Sequence, residues 1–151
     1  MAGSGIYVLK KIVVFVVLFV IVGTSSIAAG LDKIKIDILS SVAHGLFGKK
    51  DIRVYLADSS FLKEVPDKNY NGLIFTDNCS DSQLIIADSI KKLSKRCLKK
   101  TIFATNYPLY KSRYAIGALF WQKGRPVLIL KKKALMKKHI KVGSNLEKYL
   151  Q

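Results

Sequence analysis

The sequence predicts the α/β class: a small single-domain three-layer sandwich on a mixed, partly parallel sheet, closed by a C-terminal β-hairpin. Three observations point there. Residues 83–105 read as strand, crossover helix, strand, and such a crossover joins parallel strands with a right-handed turn. Residues Tyr114–Lys133 read as two apolar strands joined by a tight Lys123-Gly124 turn, in which Gly124 supplies the positive φ that so short a turn needs. A chain of 151 residues, half of them apolar, can hold one modest core but not two. The expected division is residues 1–28 as a signal peptide or N-terminal membrane anchor and residues 29–151 as a single domain.

The first segment has three parts. Lys10 and Lys11 precede an unbroken apolar run from Ile12 to Val22, and small residues follow up to Ala29. That is the layout of a secretory signal, with cleavage expected near Ala28. Eleven strictly apolar residues are short against the roughly 20 of a bilayer span, although the small residues up to Ala29 bring the run close, so an uncleaved anchor is the alternative. In both cases the domain is expected outside the cytoplasm, in the periplasm, with the membrane touched only through this segment.

Leu31–Phe47 places apolar side chains at 31, 34, 38, 39, 42, 43 and 46, the spacing of one buried helix face. Ile34, Ile36 and Ile38 also alternate as a strand would, and Gly45 and Gly48 end the segment under either reading. Asp51–Asp58 alternates Ile52, Val54 and Leu56 with Arg53, Tyr55 and Ala57, which predicts the first strand. Asp58, Ser59 and Ser60 can cap a short helix or turn through Val65, and Pro66–Gly72 is a loop by composition. Leu73–Thr76 and Gln83–Ala87 are strands separated by a polar turn whose spacing fits no calcium loop. Asp88-Ser89 caps a helix from Ile90 to Lys100, with Ile90, Leu93, Cys97 and Leu98 on one face, and Thr101–Thr105 is the strand that it feeds. Val127–Leu130, apolar on both faces, is expected inside the sheet and covered on each side, with Pro126 tolerated at its start. A basic helical turn over Ala134–His139 and a Ser144-capped helix through Leu150 complete the chain. His44 and His139 have no partner at ligand spacing and read as surface residues.

Cys97 lies on the apolar face of the predicted helix. From Ser89 to Cys97 the helix runs back about 12 Å. The strand from Ala87 to Gln83 covers about 13 Å, which returns Cys97 to the level of the turn carrying Cys79. Two cysteines in an exported chain favour pairing, so a Cys79–Cys97 disulfide is expected, with two separate thiols as the alternative.

The formal charge of +16 falls to +14 if Lys10 and Lys11 leave with the signal. Leu31–Asp88 carries nine acidic and seven basic side chains, whereas Ser89–Leu146 carries sixteen Lys or Arg and no Asp or Glu. In the cytosol such a segment would point to phosphate backbones, but export removes nucleic acid from the expected partners. Lipid headgroups, envelope polymers, small anionic ligands and acidic proteins remain. The most ligand-like connection is Tyr107–Arg113, which offers Tyr107, Tyr110 and Arg113 after a strand end, where α/β folds place their sites. Trp121, Lys123 and Arg125 gather at the hairpin tip; an exposed Trp121 would mark a contact surface and a buried one a core position. There is no GxSxG, HExxH, P-loop, GxGxxG or paired His/Cys ligand set, so no catalytic residue, cofactor or metal site is expected.

The apolar strand Leu84–Ala87 ahead of a Ser-capped helix, the strand Ile116-Gly117-Ala118-Leu119-Phe120 with its Gly124 turn, and the ending from Ala134-Leu135 through Ile140–Leu146 resemble the YfiR-type family of small periplasmic regulatory proteins, which restrain membrane-bound signalling enzymes such as diguanylate cyclases. The resemblance covers most of the chain after Ile36. Cys79 sits a few residues earlier than the family pattern has it, and Trp121–Pro126 looks peculiar to a subgroup. The resemblance implies an exported, non-catalytic α/β regulator or sensor that binds the outer domain of an inner-membrane signalling protein. It carries over no partner-binding residue. The residues themselves leave two alternatives: a periplasmic small-ligand module for an anion or solute, and an electrostatic binder of anionic envelope polymers or lipid.

Overall fold

The computed structural model describes residues 30–67 and 69–151; the expected signal or anchor at residues 1–28 lies outside them. Helix α1 spans 30–47 and buries Ile36, Leu39, Val42, Ala43 and Leu46 on one face, so the helical period prevails over the local Ile34/Ile36/Ile38 alternation. The strands are β1 (Ile52–Leu56), β2 (Leu73–Thr76), β3 (Leu84–Ala87), β4 (Thr101–Ala104), β5 (Ala115–Gln122) and β6 (Arg125–Leu130). They form one sheet in the order β2-β1-β3-β4-β5-β6, parallel throughout except for the antiparallel β5–β6 hairpin. The chain leaves β1 toward β2 and then crosses to β3 on the other side, which makes β1/β3 the switch point of the sheet. This is the α/β sandwich with a mixed sheet and C-terminal hairpin that the sequence predicts.

Both faces of the sheet are covered. One core joins α1 to Ile52, Val54, Leu84, Ile86, Phe103, Ile116 and Leu130, with Leu135 and Leu146 from the C-terminal segment. Leu135 belongs to α3 (Lys132–Lys137), and Leu146 to a 3₁₀ turn at Ser144–Tyr149 that Ser144 does not cap with its side chain. The opposite core is built on Ile85, Ala87, Ile102, Ala104, Ala115 and Ala118, and is covered by Leu93, Cys97 and Leu109.

The covering of that second face departs from expectation. Ile90–Lys100 is not a helix: it runs as successive turns and reaches only a single 3₁₀ turn at Cys97–Lys99. Its six cations, Lys91, Lys92, Lys95, Arg96, Lys99 and Lys100, would stand at i,i+4 from one another with no carboxylate between them, an arrangement that destabilises a helix. Local bonds favour turns instead: Ser89 Oγ accepts from the Lys91 amide at 3.2 Å and Ser94 Oγ from the Cys97 amide at 3.4 Å. The sidedness holds without the helix, since Leu93 and Cys97 are buried against the sheet. The Cys79–Cys97 disulfide is formed, with Cα atoms 5.8 Å apart, so the expected pair is right and the expected helical path to it is wrong. Such a bond is compatible with an oxidising compartment. Lys100 Nζ ties the same segment back to the 79–82 turn, donating to the Ser80 and Ser82 carbonyls at 2.7 and 3.0 Å.

Other elements shift for local reasons. At Asp58 the turn rather than the short helix is formed, as one of the two expected outcomes: its Oδ1 accepts from the Ser60 amide at 2.9 Å. Strand β6 is not internal but an edge strand, with Val127, Leu128 and Ile129 half-buried, and the edge is where Pro126 is tolerated. The hairpin turn has positive φ at both Lys123 and Gly124 (50° and 74°), as a two-residue connection requires. In the middle of β5, Gly117 faces Phe103, and a Cβ there would fall 2.6 Å from the Ile129 carbonyl and 2.8 Å from the Phe103 ring. His44 is more than a surface residue: its Nδ1 and Nε2 lie 2.8 and 2.9 Å from the carbonyls of Lys49 and Asn71, joining α1 to the loops on either side of β1.

Candidate functional site

The residues singled out in the sequence fall at opposite ends of the sheet. Tyr107 and Tyr110 belong to a short helix, α2 (Tyr107–Lys111), where a loop was expected; Asn106 caps it by accepting from the Leu109 amide at 2.9 Å, and Pro108 suits its first turn. Helix α2 starts at the C-terminal end of β4 and leads back to the start of β5, so Arg113 lies at the N-terminal end of the sheet. Trp121, Lys123 and Arg125 lie at the C-terminal end, at the hairpin tip. The structure thus separates Arg113 from the hairpin trio.

Leu109 anchors α2 against the second core while Tyr107 stays 52% exposed. The Tyr107 ring stands 5.9 Å from that of Tyr110 and 6.2 Å from that of Phe120, which fixes an aromatic platform on the outer side of the sheet. Cations border it. Lys111 Nζ is 5.8 Å from the Tyr107 ring and Lys131 Nζ 4.8 Å from the Tyr110 ring. Arg113 stacks 5.0 Å over Tyr114 and donates to its hydroxyl at 3.0 Å, which raises the guanidinium pKa further. Burial raises the Tyr110 pKa, with Tyr107 adding to it, and burial lowers that of Lys131.

Trp121 is neither fully exposed nor fully buried. Its ring packs against the α1-side core, with Lys35 Nζ of α1 5.8 Å above it and the same ammonium 5.3 Å from the Phe61 ring. Lys123 and Arg125 are exposed beside it. The tip therefore offers two solvated cations, and its aromatic is largely a packing residue.

Sequence reasoning missed a third grouping, at the C-terminal ends of β1, β3 and β4. Asp58 Oδ2 accepts from Thr105 Oγ1 at 2.6 Å, Oδ1 accepts from Ser60 Oγ at 2.6 Å, and Asn106 Nδ2 donates to the Asp88 carbonyl at 2.8 Å. Burial alone would raise the Asp58 pKa, but the hydrogen bonds from Ser60 and Thr105 outweigh it and hold the carboxyl below its ordinary value. Among the described residues, Asp88 Oδ1 is a buried oxygen with no hydrogen-bond partner. The signal was present: Ala-Asp-Ser occurs at 57–59 and again at 87–89, each time at the end of a strand. These bonds lock strand ends together across the switch point, and among the described residues no three His, Cys, Asp or Glu side chains gather as metal ligands.

Charge is distributed in the same sided way. The ion pairs among the described residues, Lys33–Asp37 and Lys35–Asp32, both lie within α1, so none of the sixteen cations between Ser89 and Leu146 pairs with a carboxylate there. No helix among the described residues is long and apolar enough to cross a membrane. Fold and surface together define an open-sheet α/β domain with an exposed aromatic and cationic flank. No protein-family model, curated protein or solved structure matches the chain.

Proposed function

We propose that this chain is an exported, YfiR-like regulatory protein that acts in the periplasm by binding the outer domain of an inner-membrane signalling protein, without catalysing a reaction itself. The observation that supports it most is the α2 flank: a half-exposed tyrosine packed against Tyr110 and Phe120 with Lys111 beside it. Tyrosine is among the residue types that dominate protein interfaces. The unpaired positive charge beside it selects an acidic partner surface, which would also speed encounter. The N-terminal signal layout and the disulfide support an oxidising compartment. Crosslinking the full chain in intact envelopes, followed by mass spectrometry, tests the reading. Recovery of a membrane-anchored signalling protein, reduced at least tenfold by Tyr107→Ala with Lys111→Ala, is the expected result. Recovery of no such protein, or recovery indifferent to both substitutions, would end it.

A further inference from the structure

At the N-terminal end of the sheet, below α2, lies a cleft of about 420 Å³ with Arg113, Lys131, Lys132 and Lys133 along its walls and Ala115 and Ala134 in its lining. The three consecutive lysines come together here because β6 ends at Leu130 and α3 begins at Lys132, while Arg113 arrives from the exit of α2 on the neighbouring strand. Backbone bonds shape the rim: the Lys131 amide donates to the Ile116 carbonyl and the Lys132 amide to the Gln151 carbonyl, both at 2.8 Å. Lys131 Nζ is held against the Ser112 carbonyl at 2.6 Å, which keeps the connection carrying Arg113 in place. Four cationic residues thus line one concavity, and none of them has a carboxylate within ion-pair distance among the described residues. Repulsion among such clustered cations is relieved by a bound anion, and multiple N–H donors suit an oxyanion.

We infer that this cleft is a binding site for a phosphate group, with the apolar lining accepting the body to which the phosphate is attached. Arg113, Lys132 and Lys133 engage its oxygens, while Lys131 mainly holds the wall. The inference is independent of the partner reading, which uses the outward surface of α2. A free phosphate compound and the headgroup of an anionic lipid share this chemistry.

The test uses the full chain, titrated with inorganic phosphate at constant ionic strength and, separately, with vesicles of phosphatidylcholine alone or mixed with phosphatidylglycerol. The cleft variant is Lys132→Gln with Lys133→Gln, at exposed positions; the control is Lys49→Gln with Lys50→Gln, which removes the same charge from exposed positions beside β1. Expected is saturable binding that weakens at least tenfold in the cleft variant and less than twofold in the control. If phosphate alone behaves this way the natural ligand is a soluble phosphate compound, and if only the phosphatidylglycerol vesicles do it is a headgroup. Equal loss in both variants, or no binding of either probe beyond that of phosphatidylcholine, would overturn the inference.

Discussion

The two faces of the sheet are stabilised in different ways. On one, α1 lays five buried side chains onto branched and aromatic residues of all six strands, and the packing is continuous from Leu39 to Leu146. On the other, the sheet contributes mainly alanines between Ile85 and Ile102, and the cover is a five-residue helix together with a turn-rich strap. The strap is fastened by the Cys79–Cys97 disulfide and by lysine ammoniums bonded to backbone carbonyls: Lys100 to Ser80 and Ser82, and Lys138 to Lys99 and Lys100 at 3.2 and 3.0 Å. A thin layer with little apolar area gains less from burial, so covalent and polar fastenings take a larger share. The flank proposed to meet partners rests on this thinner side.

That contrast can be broken most directly at Phe103, fully buried between α1 and the sheet. Phe103→Ala is expected to cost roughly 3–5 kcal/mol in urea unfolding, more than any comparable truncation beneath the strap. Removing the disulfide by Cys79→Ala with Cys97→Ala should cost about 3 kcal/mol in unfolding free energy. Hydrogen exchange would sharpen this second result: amides of the 88–100 strap and α2 are expected to lose protection while those of α1 keep it. Uniform loss over both faces would show that the two sides are not separable.

The smallest effect is expected at the β1/β3/β4 strand ends. Asp58→Asn weakens the hydrogen bonds from Ser60 and Thr105 and should cost roughly 1–3 kcal/mol at neutral pH. Because the folded-state pKa of Asp58 lies below its ordinary 3.8, its contribution is present in full above that value and is lost as pH falls through the folded-state pKa. The gap between wild type and variant should therefore narrow in acid unfolding series below about pH 4. A gap that stays constant would assign the cost to packing alone.

Much of the architecture was legible in the chain. The spacing in α1, the alternation in β1, the short apolar strands and the Lys123-Gly124 turn all specified local structure that tertiary packing then used. The strap was misread because an apolar face every three or four residues is equally compatible with a chain that turns while keeping Leu93 and Cys97 inward; the repulsion among its lysines, invisible to periodicity, decided the matter. Edge or centre for β6 depends on the order of strands, which no local pattern encodes. Of the candidate contacts, Tyr107 was readable from its loop-like composition, whereas the distance between Arg113 and the hairpin tip follows from Arg113 preceding the start of β5, whose eight residues separate it from the tip. The Asp58–Thr105 bond links residues 47 apart and was legible only as the recurring Ala-Asp-Ser.

Gly117 gives the architecture a test in other chains. With the Ile129 carbonyl and the Phe103 ring both within 3 Å of where a Cβ would be, the two neighbours of β5, β4 and β6, can close on it only while that position is bare. A chain sharing this sheet must then keep glycine there, or pair a larger residue with a smaller one at the position of Phe103 and a displaced hairpin. Such paired exchange would identify kinship where overall identity has decayed.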